Sequence, residues 1–277
     1  MTTAAGEIIR AYKDIGMRVS YSYGLRDQNR LVYEADERFL KRLPDDLAAV
    51  LGPMLAALTI PLDDNFVLFE KLRETYAGDP KVSIQLAPVN LHWCSDEALE
   101  RVAEVSSRRA VPVHMHLLET PYQRVYARRR MGGSAVEHLE RKGLLGPLVT
   151  LGHGVWMTEA DLDAVAATDT RICTNCSSNM RLKSGTAPLN AMIARDIRVA
   201  IGIDEATIND DRAGVSHGDR ERRPHDAVRG DDRRHRARAV GRSRHAAPVA
   251  ATTSLQQVSG KPSHTLPRAP QSGTSGV

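Results

Sequence analysis

Residues 111–120 read Val-Pro-Val-His-Met-His-Leu-Leu-Glu-Thr, and this stretch decides how the rest of the chain is interpreted. A short run of branched apolar residues that leads into ionisable side chains is typical of a buried strand with chemistry at its carboxyl end. Side chains two apart on a strand share a face, so His114 and His116 are expected to point the same way. Glu119 can share a pocket with His116 only if the strand ends near Leu118 and the backbone turns there.

Two interpretations of this stretch stay open at this point. In the first, a metal-binding histidine lies beside a carboxylate that transfers protons. In the second, the two histidines are structural residues of the core, and Glu119-Thr120 caps the following helix.

Composition separates the chain into two unlike parts. Apolar residues make up 42% of the 277 positions, which is enough for a core, but aromatics are only 4% and the last is Trp156. Residues 213–277 carry eleven arginines and one lysine against five acidic residues, a charge of about +7 in a chain whose net charge is +4. The preceding residues are therefore slightly acidic, as in an ordinary soluble enzyme domain.

Three cysteines in a chain of this length do not form a disulfide framework. Neither a long apolar run nor an N-terminal signal core is recognisable, so a cytoplasmic location is expected. Cys173 and Cys176 form a Cys-x-x-Cys pair, for which buried thiols are favoured over a redox or zinc role.

Strand and helix patterns alternate along the chain, which predicts parallel βα units. Strands are predicted at 17–24, 81–89, 111–119, 148–155, 170–176 and 198–203. Helices are predicted at 3–16, 35–58 with interruptions around Pro44 and Pro53, 66–76, 96–109 capped by Ser95, 121–131, 134–142, 158–167 and 186–195. Residues 177–179 (Ser-Ser-Asn) are expected in a loop.

Most of the predicted strands end in polar side chains. Arg26 lies just past the first strand, and the later ends carry His92, His116 with Glu119, His153, Asn179 and Asp204. Such ends converge on one face of a (β/α) barrel, whereas a doubly wound sheet spreads them along an edge. The set favours a barrel, although His153 alone is compatible with a turn and Asp204 alone with a helix cap.

The chain resembles the amidohydrolase superfamily over residues 3–211, in the branch of cytosine deaminase, S-adenosylhomocysteine deaminase and triazine chlorohydrolase. The resemblance rests on His-Met-His-Leu-Leu-Glu-Thr (114–120), Gly-His-Gly (152–154), Ser-Ser-Asn-Met-Arg-Leu-Lys-Ser-Gly-Thr-Ala-Pro (177–188) and Gly-Ile-Asp-Glu-Ala (202–206). It implies a divalent metal, zinc or iron, at the mouth of a barrel.

The resemblance also implies roles for individual residues. His116 and Asp204 would be metal ligands, and Glu119 would move a proton from water to the substrate. His153 would bond the attacking water, and Asp204 would pass a second proton to the leaving group. The substrate would face Arg26, His92 and Asn179, and His114 would be structural.

Two departures from the family shape the predicted fold. The family begins with a β-sandwich and a first strand that carries His-x-His, whereas the one His-x-His in this sequence is 114–116. We expect residues 1–212 to form a partial (β/α)8 barrel that lacks this strand and the sandwich. Residues 213–277, Arg-rich and then rich in Ala, Ser, Thr and Pro, are expected to be a disordered tail, and we hypothesise an out-of-frame translation.

The expected function is metal-dependent hydrolysis of a non-peptide C–N bond, with deamination of a purine- or pyrimidine-like heterocycle favoured. Release of another leaving group, such as halide from a triazine, stays open. The alternative is an inactive truncated member that does not retain metal, because it lacks the first-strand ligands. A small heterocycle is the expected partner, without specific nucleic acid or a membrane, and self-association is left open.

Overall fold

The computed structural model describes residues 2–205, and the tail predicted from residue 213 lies outside them. The helices are α1 (Thr2–Asp14), α2 (Asp36–Leu40), α3 (Asp45–Leu58), α4 (Leu62–Thr75), α5 (Asp96–Arg109), α6 (Pro121–Met131), α7 (Ala135–Arg141), α8 (Glu159–Ala167), α9 (Cys176–Arg181) and α10 (Leu189–Ile193). The strands are β1 (Val19–Leu25), β2 (Val82–Pro88), β3 (Val113–Leu117), β4 (Val149–His153), β5 (Arg171–Thr174) and β6 (Val199–Ile201).

These strands form a parallel sheet in which spatial order follows chain order, from β1 to β6. A doubly wound sheet reverses its strand order at a switch point, and this sheet does not. The predicted α/β class and barrel-type arrangement are therefore confirmed. A closed barrel of this type has eight strands, of which residues 2–205 supply six.

The strand β3 lies at the centre of the molecule and is buried along its whole length. Its apolar residues Val113, Met115 and Leu117 belong to the hydrophobic core. Because side chains alternate along a strand, His114 and His116 lie on the opposite face from these three. Parallel strands covered on both faces are buried in this way, and the inner face can carry polar groups only where they find partners.

Side-chain caps fix where two of the helices begin. The Ser95 hydroxyl accepts a hydrogen bond from the backbone N–H of Ala98 at the start of α5. Thr158 and Asp161 form a reciprocal capping box at the start of α8. Both caps were predicted from sequence, and they set the direction in which β2 and β4 lead into their helices.

Two local predictions are wrong. Pro53 does not interrupt α3, because the carbonyl of Ala49, which loses its helical donor, lies on the exposed side where water can replace the bond. Residues 177–179 are not a loop but part of the six-residue helix α9. A helix this short has no apolar periodicity to reveal it.

By length and apolar composition, the span Asp45–Thr75 would qualify as a candidate membrane segment, and 6% of it is buried. The chain leaves the helical conformation between Thr59 and Pro61, however, and α4 buries Phe66, Phe69 and Leu72 against the sheet. The remaining helix, α3, has 14 residues, fewer than the roughly 20 that a span requires. We therefore interpret α3 as a surface helix, and the absence of a membrane partner stays a prediction.

Candidate active site

Three loops at the carboxyl ends of the strands contain a residue with left-handed backbone: Leu118 (φ 54), His153 (φ 72) and Asp204 (φ 64). This conformation is unfavourable for residues other than glycine and tends to occur at functional sites. The turn at Leu118 follows the last residue of β3 and brings Glu119 back towards His116. The condition that the sequence set for a shared pocket is thus met.

His116, Glu119 and His153 form a compact group whose potential ligand atoms all lie within 4.8 Å of one another. His116 Nδ1 lies 2.9 Å from His153 Nε2, and the latter atom is 3.9 Å from Glu119 Oε2. The Glu119 carboxylate thus faces the histidines, and the Thr120 side chain makes no capping hydrogen bond to α6. The geometry favours the metal and proton-transfer interpretation over the helix-cap interpretation.

A chain of hydrogen bonds fixes the protonation of the two histidines. His153 Nδ1 lies 2.8 Å from Asn179 Oδ1, an oxygen that can only accept, so Nδ1 carries the proton. His153 Nε2 is then an acceptor, and the proton in its bond with His116 resides on His116 Nδ1. The network therefore places the unprotonated nitrogen of His116 at Nε2, the form in which imidazole binds a metal.

The environment keeps His116 neutral. Burial lowers the pKa of His116 well below its ordinary value, and the neighbouring His153 and His114 lower it further. His114, which is buried on the same strand, has its pKa lowered to about 4, mainly by burial. Neutral imidazoles can bind a divalent cation without first losing a proton.

Asp204 approaches the same end of the sheet from beyond β6, outside the 4.8 Å group. Its carboxylate accepts a hydrogen bond from the Ser178 hydroxyl at the start of α9. Gly202 precedes it at a crowded point, where a Cβ atom would lie 2.3 Å from Asn175 Oδ1. Any larger residue at 202 would displace the segment that carries Asp204.

Arg26 and His92 lie beside this group rather than in it. Arg26 places its guanidinium over the Trp93 ring at 4.2 Å, and burial lowers its pKa. His92 is 4% exposed, and its Nδ1 lies 3.0 Å from Asn90 Oδ1. Asn179 is 1% exposed and bonded to His153, so it is positioned to orient His153. Their predicted contacts with substrate stay predictions.

Sequence reasoning missed three polar residues near the site. Ser178 bonds Asp204, Ser184 Oγ donates to Glu119 Oε1 over 3.4 Å, and Tyr33 stacks on His92. The two serines lie within the quoted motif 177–188, which was the available signal for them. Tyr33 lies in a segment without periodicity, so nothing in the sequence distinguished it.

The cysteines take no part in this group. Cys94 is buried and its pKa is raised to about 12, chiefly by burial. Burial, followed by the charge of Asp204, raises the pKa of Cys173 to about 11. All three thiols are free, and within residues 2–205 no cysteine belongs to a group of potential metal ligands.

Comparison with known sequences gives a family and several deaminases. The model of the family described as "Amidohydrolase family" matches residues 2–231, past the domain boundary predicted at 212. The chain is 32% identical to the 5'-deoxyadenosine deaminase of Methanothermobacter thermautotrophicus over 132 residues, 48% of this chain and 31% of that protein. It is 33% identical to the 5-methylthioadenosine/S-adenosylhomocysteine deaminase of Nitratidesulfovibrio vulgaris over 147 residues, 53% of this chain and 33% of that protein. The matched regions thus span about a third of each of these relatives.

Solved structures share the fold. An adenosine deaminase from Xanthomonas campestris with bound zinc superimposes with a TM-score of 0.60 at 23% identity, covering 75% of this chain and 41% of that one. A guanine deaminase from C. acetobutylicum with bound guanine gives a TM-score of 0.60 at 17% identity, covering 73% and 43%. With a family model that matches most of its length and a fold shared with these enzymes, the chain belongs to the amidohydrolase family.

Proposed function

We propose that this protein is a metal-dependent hydrolase that deaminates a purine- or pyrimidine-like heterocycle. The observation that carries the proposal is the group of His116, Glu119 and His153, which lies at the carboxyl ends of two adjacent parallel strands. This is the face on which barrel enzymes place their active sites. The relatives named as deaminases of adenosine derivatives support the reaction type.

The residues present fit a divalent metal. Neutral imidazoles and carboxylates are suitable ligands for zinc and for iron, and the hydrogen-bond chain through Asn179 presents His116 in its metal-binding tautomer. We assign His116 and Asp204 as ligands in this chain, and we favour zinc, which the adenosine deaminase structure contains. When bound, such an ion lowers the pKa of water towards about 7.

Glu119 is placed to transfer protons. Its carboxylate faces His153, and the bond from Ser184 steadies one oxygen while leaving the other towards the histidines. We propose that Glu119 takes a proton from the attacking water and delivers it to a ring nitrogen, which makes the adjacent carbon more electrophilic. A C–O bond forms at that carbon while the ring C–N double bond opens onto the protonated nitrogen.

His153 and Asp204 complete the proton transfers. His153, held by Asn179, is proposed to hydrogen-bond the attacking oxygen and limit its motion. Asp204 accepts the second proton of the water and passes it to the amino group. The exocyclic C–N bond then breaks, ammonia leaves and the ring carbonyl remains.

The test is ammonia release from candidate heterocycles. Protein stripped by a chelator and reloaded with zinc or iron(II) is incubated with 5'-deoxyadenosine, guanine, cytosine or atrazine, and ammonia and chloride are measured. We expect ammonia from a purine and a 10²- to 10⁴-fold loss of rate, roughly, in Glu119→Gln. Glu140→Gln, an exposed carboxylate on α7, is the matched control and should retain the wild-type rate.

The outcomes separate the alternatives. Chloride from atrazine without ammonia from any heterocycle would replace deamination by dehalogenation at the same site. A folded, metal-loaded protein that releases neither product would support the inactive interpretation.

A further inference from the structure

His92, a residue predicted to face the substrate, is covered by an aromatic ring. Tyr33 stacks on it with ring centroids 4.1 Å apart and an interplanar angle of 28°. Trp93 and Tyr126 also contact the imidazole, at 4.4 and 6.0 Å between centroids. His92 is left 4% exposed, so a substrate reaches its ring only if one of these neighbours moves.

Of these neighbours, Tyr33 has the weakest attachment to the fold. Trp93 adjoins His92 in the chain, and Tyr126 belongs to α6 and is 8% exposed. Tyr33 is 39% exposed and lies in the segment 30–35, which has neither helix nor strand. It is therefore the ring that can leave His92 at the lowest cost in buried contacts.

The segment is anchored at one end and turns there. The Asn29 side chain donates to the His92 carbonyl over 2.7 Å and to the Tyr126 hydroxyl over 3.1 Å. Gln28 donates to the Cys94 carbonyl over 2.8 Å. Asn29 has left-handed backbone (φ 50), so the chain changes direction where the anchored part ends and the part that carries Tyr33 begins.

Tyr33 lies between a cavity and the catalytic end of β3. It lines a cavity of about 520 Å³ with Tyr122, Tyr126 and Arg129, a volume in the range of small-molecule sites. Towards the site, the Glu119 charge and above all burial raise the pKa of Tyr33, while the Thr120 hydroxyl lowers it. The ring is thus near Glu119 on one side and the open cavity on the other.

We propose that Tyr33 is a specificity-determining gate that occupies the stacking position of the substrate ring on His92. This inference rests on the proposed function. A planar aromatic heterocycle replaces Tyr33 on His92 and recovers the stacking contact, whereas an aliphatic ligand displaces the tyrosine without recovering it. The gate therefore selects aromatic rings and weakens binding by the fraction of molecules that are closed.

The first arm of the test does not depend on activity. Diethyl pyrocarbonate modifies accessible neutral imidazoles, and the rate at His92 is read by peptide mass spectrometry. Removing the ring in Tyr33→Ala should raise that rate about five- to tenfold, the scale of one aromatic stacking contact. Tyr33→Leu, which keeps apolar bulk for folding, should also raise it. Tyr122→Ala, which lines the same cavity but does not stack on His92, should not.

The second arm measures the affinity of the zinc-loaded protein for 5'-deoxyadenosine by calorimetry. Tyr33→Ala should bind about five- to tenfold more tightly than wild type, because no closed state competes. Tyr33→Phe, which keeps the ring, should bind as wild type does.

Two results would overturn the gate. One is equal His92 modification in wild type and Tyr33→Ala, and the other is weaker ligand binding by Tyr33→Ala. If no variant binds a nucleoside or releases ammonia, the proposed function fails, and the modification arm still decides whether Tyr33 covers His92.

Discussion

At the scale of single residues, the site depends on which atoms carry protons. Asn179 holds the Nδ1 proton of His153, and this bond determines how His153 meets His116. The sequence predicted His116, Glu119 and His153 because each follows an apolar run that reads as a strand. It did not predict the pairing of Asn179 with His153, since the two are 26 residues apart and meet only through packing.

The bond from Asn179 can be tested by truncation. Asn179→Ala leaves the buried His153 N–H without an acceptor, which should lower the free energy of unfolding by about 1–3 kcal/mol. The ring also loses its orientation, so ammonia release should fall at least about tenfold. Denaturant unfolding and the ammonia assay measure the two effects. Asn190→Ala, at an exposed position of α10, is the control, and equal losses in both variants would refute the role of Asn179.

At the scale of elements, sequence signals were strongest where a cap or a Pro fixes a boundary. The bounds of α5 and α6 were predicted to the residue, from Ser95 and from Pro121 followed by Gly132. Strands were predicted one or two residues too long, because apolar runs continue past the last ladder hydrogen bond. The helix α9 was missed, since a Ser-Ser-Asn sequence is typical of loops and caps.

The capping box of α8 gives a prediction at this scale. Thr158→Ala removes the acceptor for the N–H of Asp161 and should lower the free energy of unfolding by about 1 kcal/mol. Thr75→Ala, an exposed threonine at the end of α4, should change it by less than about 0.5 kcal/mol. Urea unfolding of both variants provides the comparison, and equal midpoints would show that the box does not stabilise α8.

At the scale of the whole molecule, the alternation of elements was enough to predict the parallel sheet and its barrel order. Such a sheet buries polar groups together with its apolar core, and this has a consequence for stability. Burial, and then the charge of Arg26, lower the pKa of His92 to about 4. The unfolded chain therefore binds a proton between about pH 6.5 and pH 4 that the folded protein does not bind.

The sign of the resulting pH dependence follows directly. The stability linked to His92 is present above pH 6.5 and is lost as the pH falls towards 4, by up to about 1.4 kcal/mol per pH unit. Urea unfolding of wild type and His92→Gln from pH 7 to pH 4 measures the slope, which should be smaller in the variant. Tyr126→Phe, which keeps His92, should retain the wild-type slope, and identical slopes in all three proteins would contradict a depressed pKa.

The central claim is that the ends of β3, β4 and β6 form a metal centre. The most direct measurement is zinc content after chelator treatment and reloading, compared among wild type, His116→Ala and His138→Ala. His138 is a buried histidine bonded to Asp96, away from the site. We predict about one equivalent of zinc in wild type and His138→Ala and well below half an equivalent in His116→Ala. Equal zinc in His116→Ala and wild type, or no zinc in folded wild type, would contradict the claim.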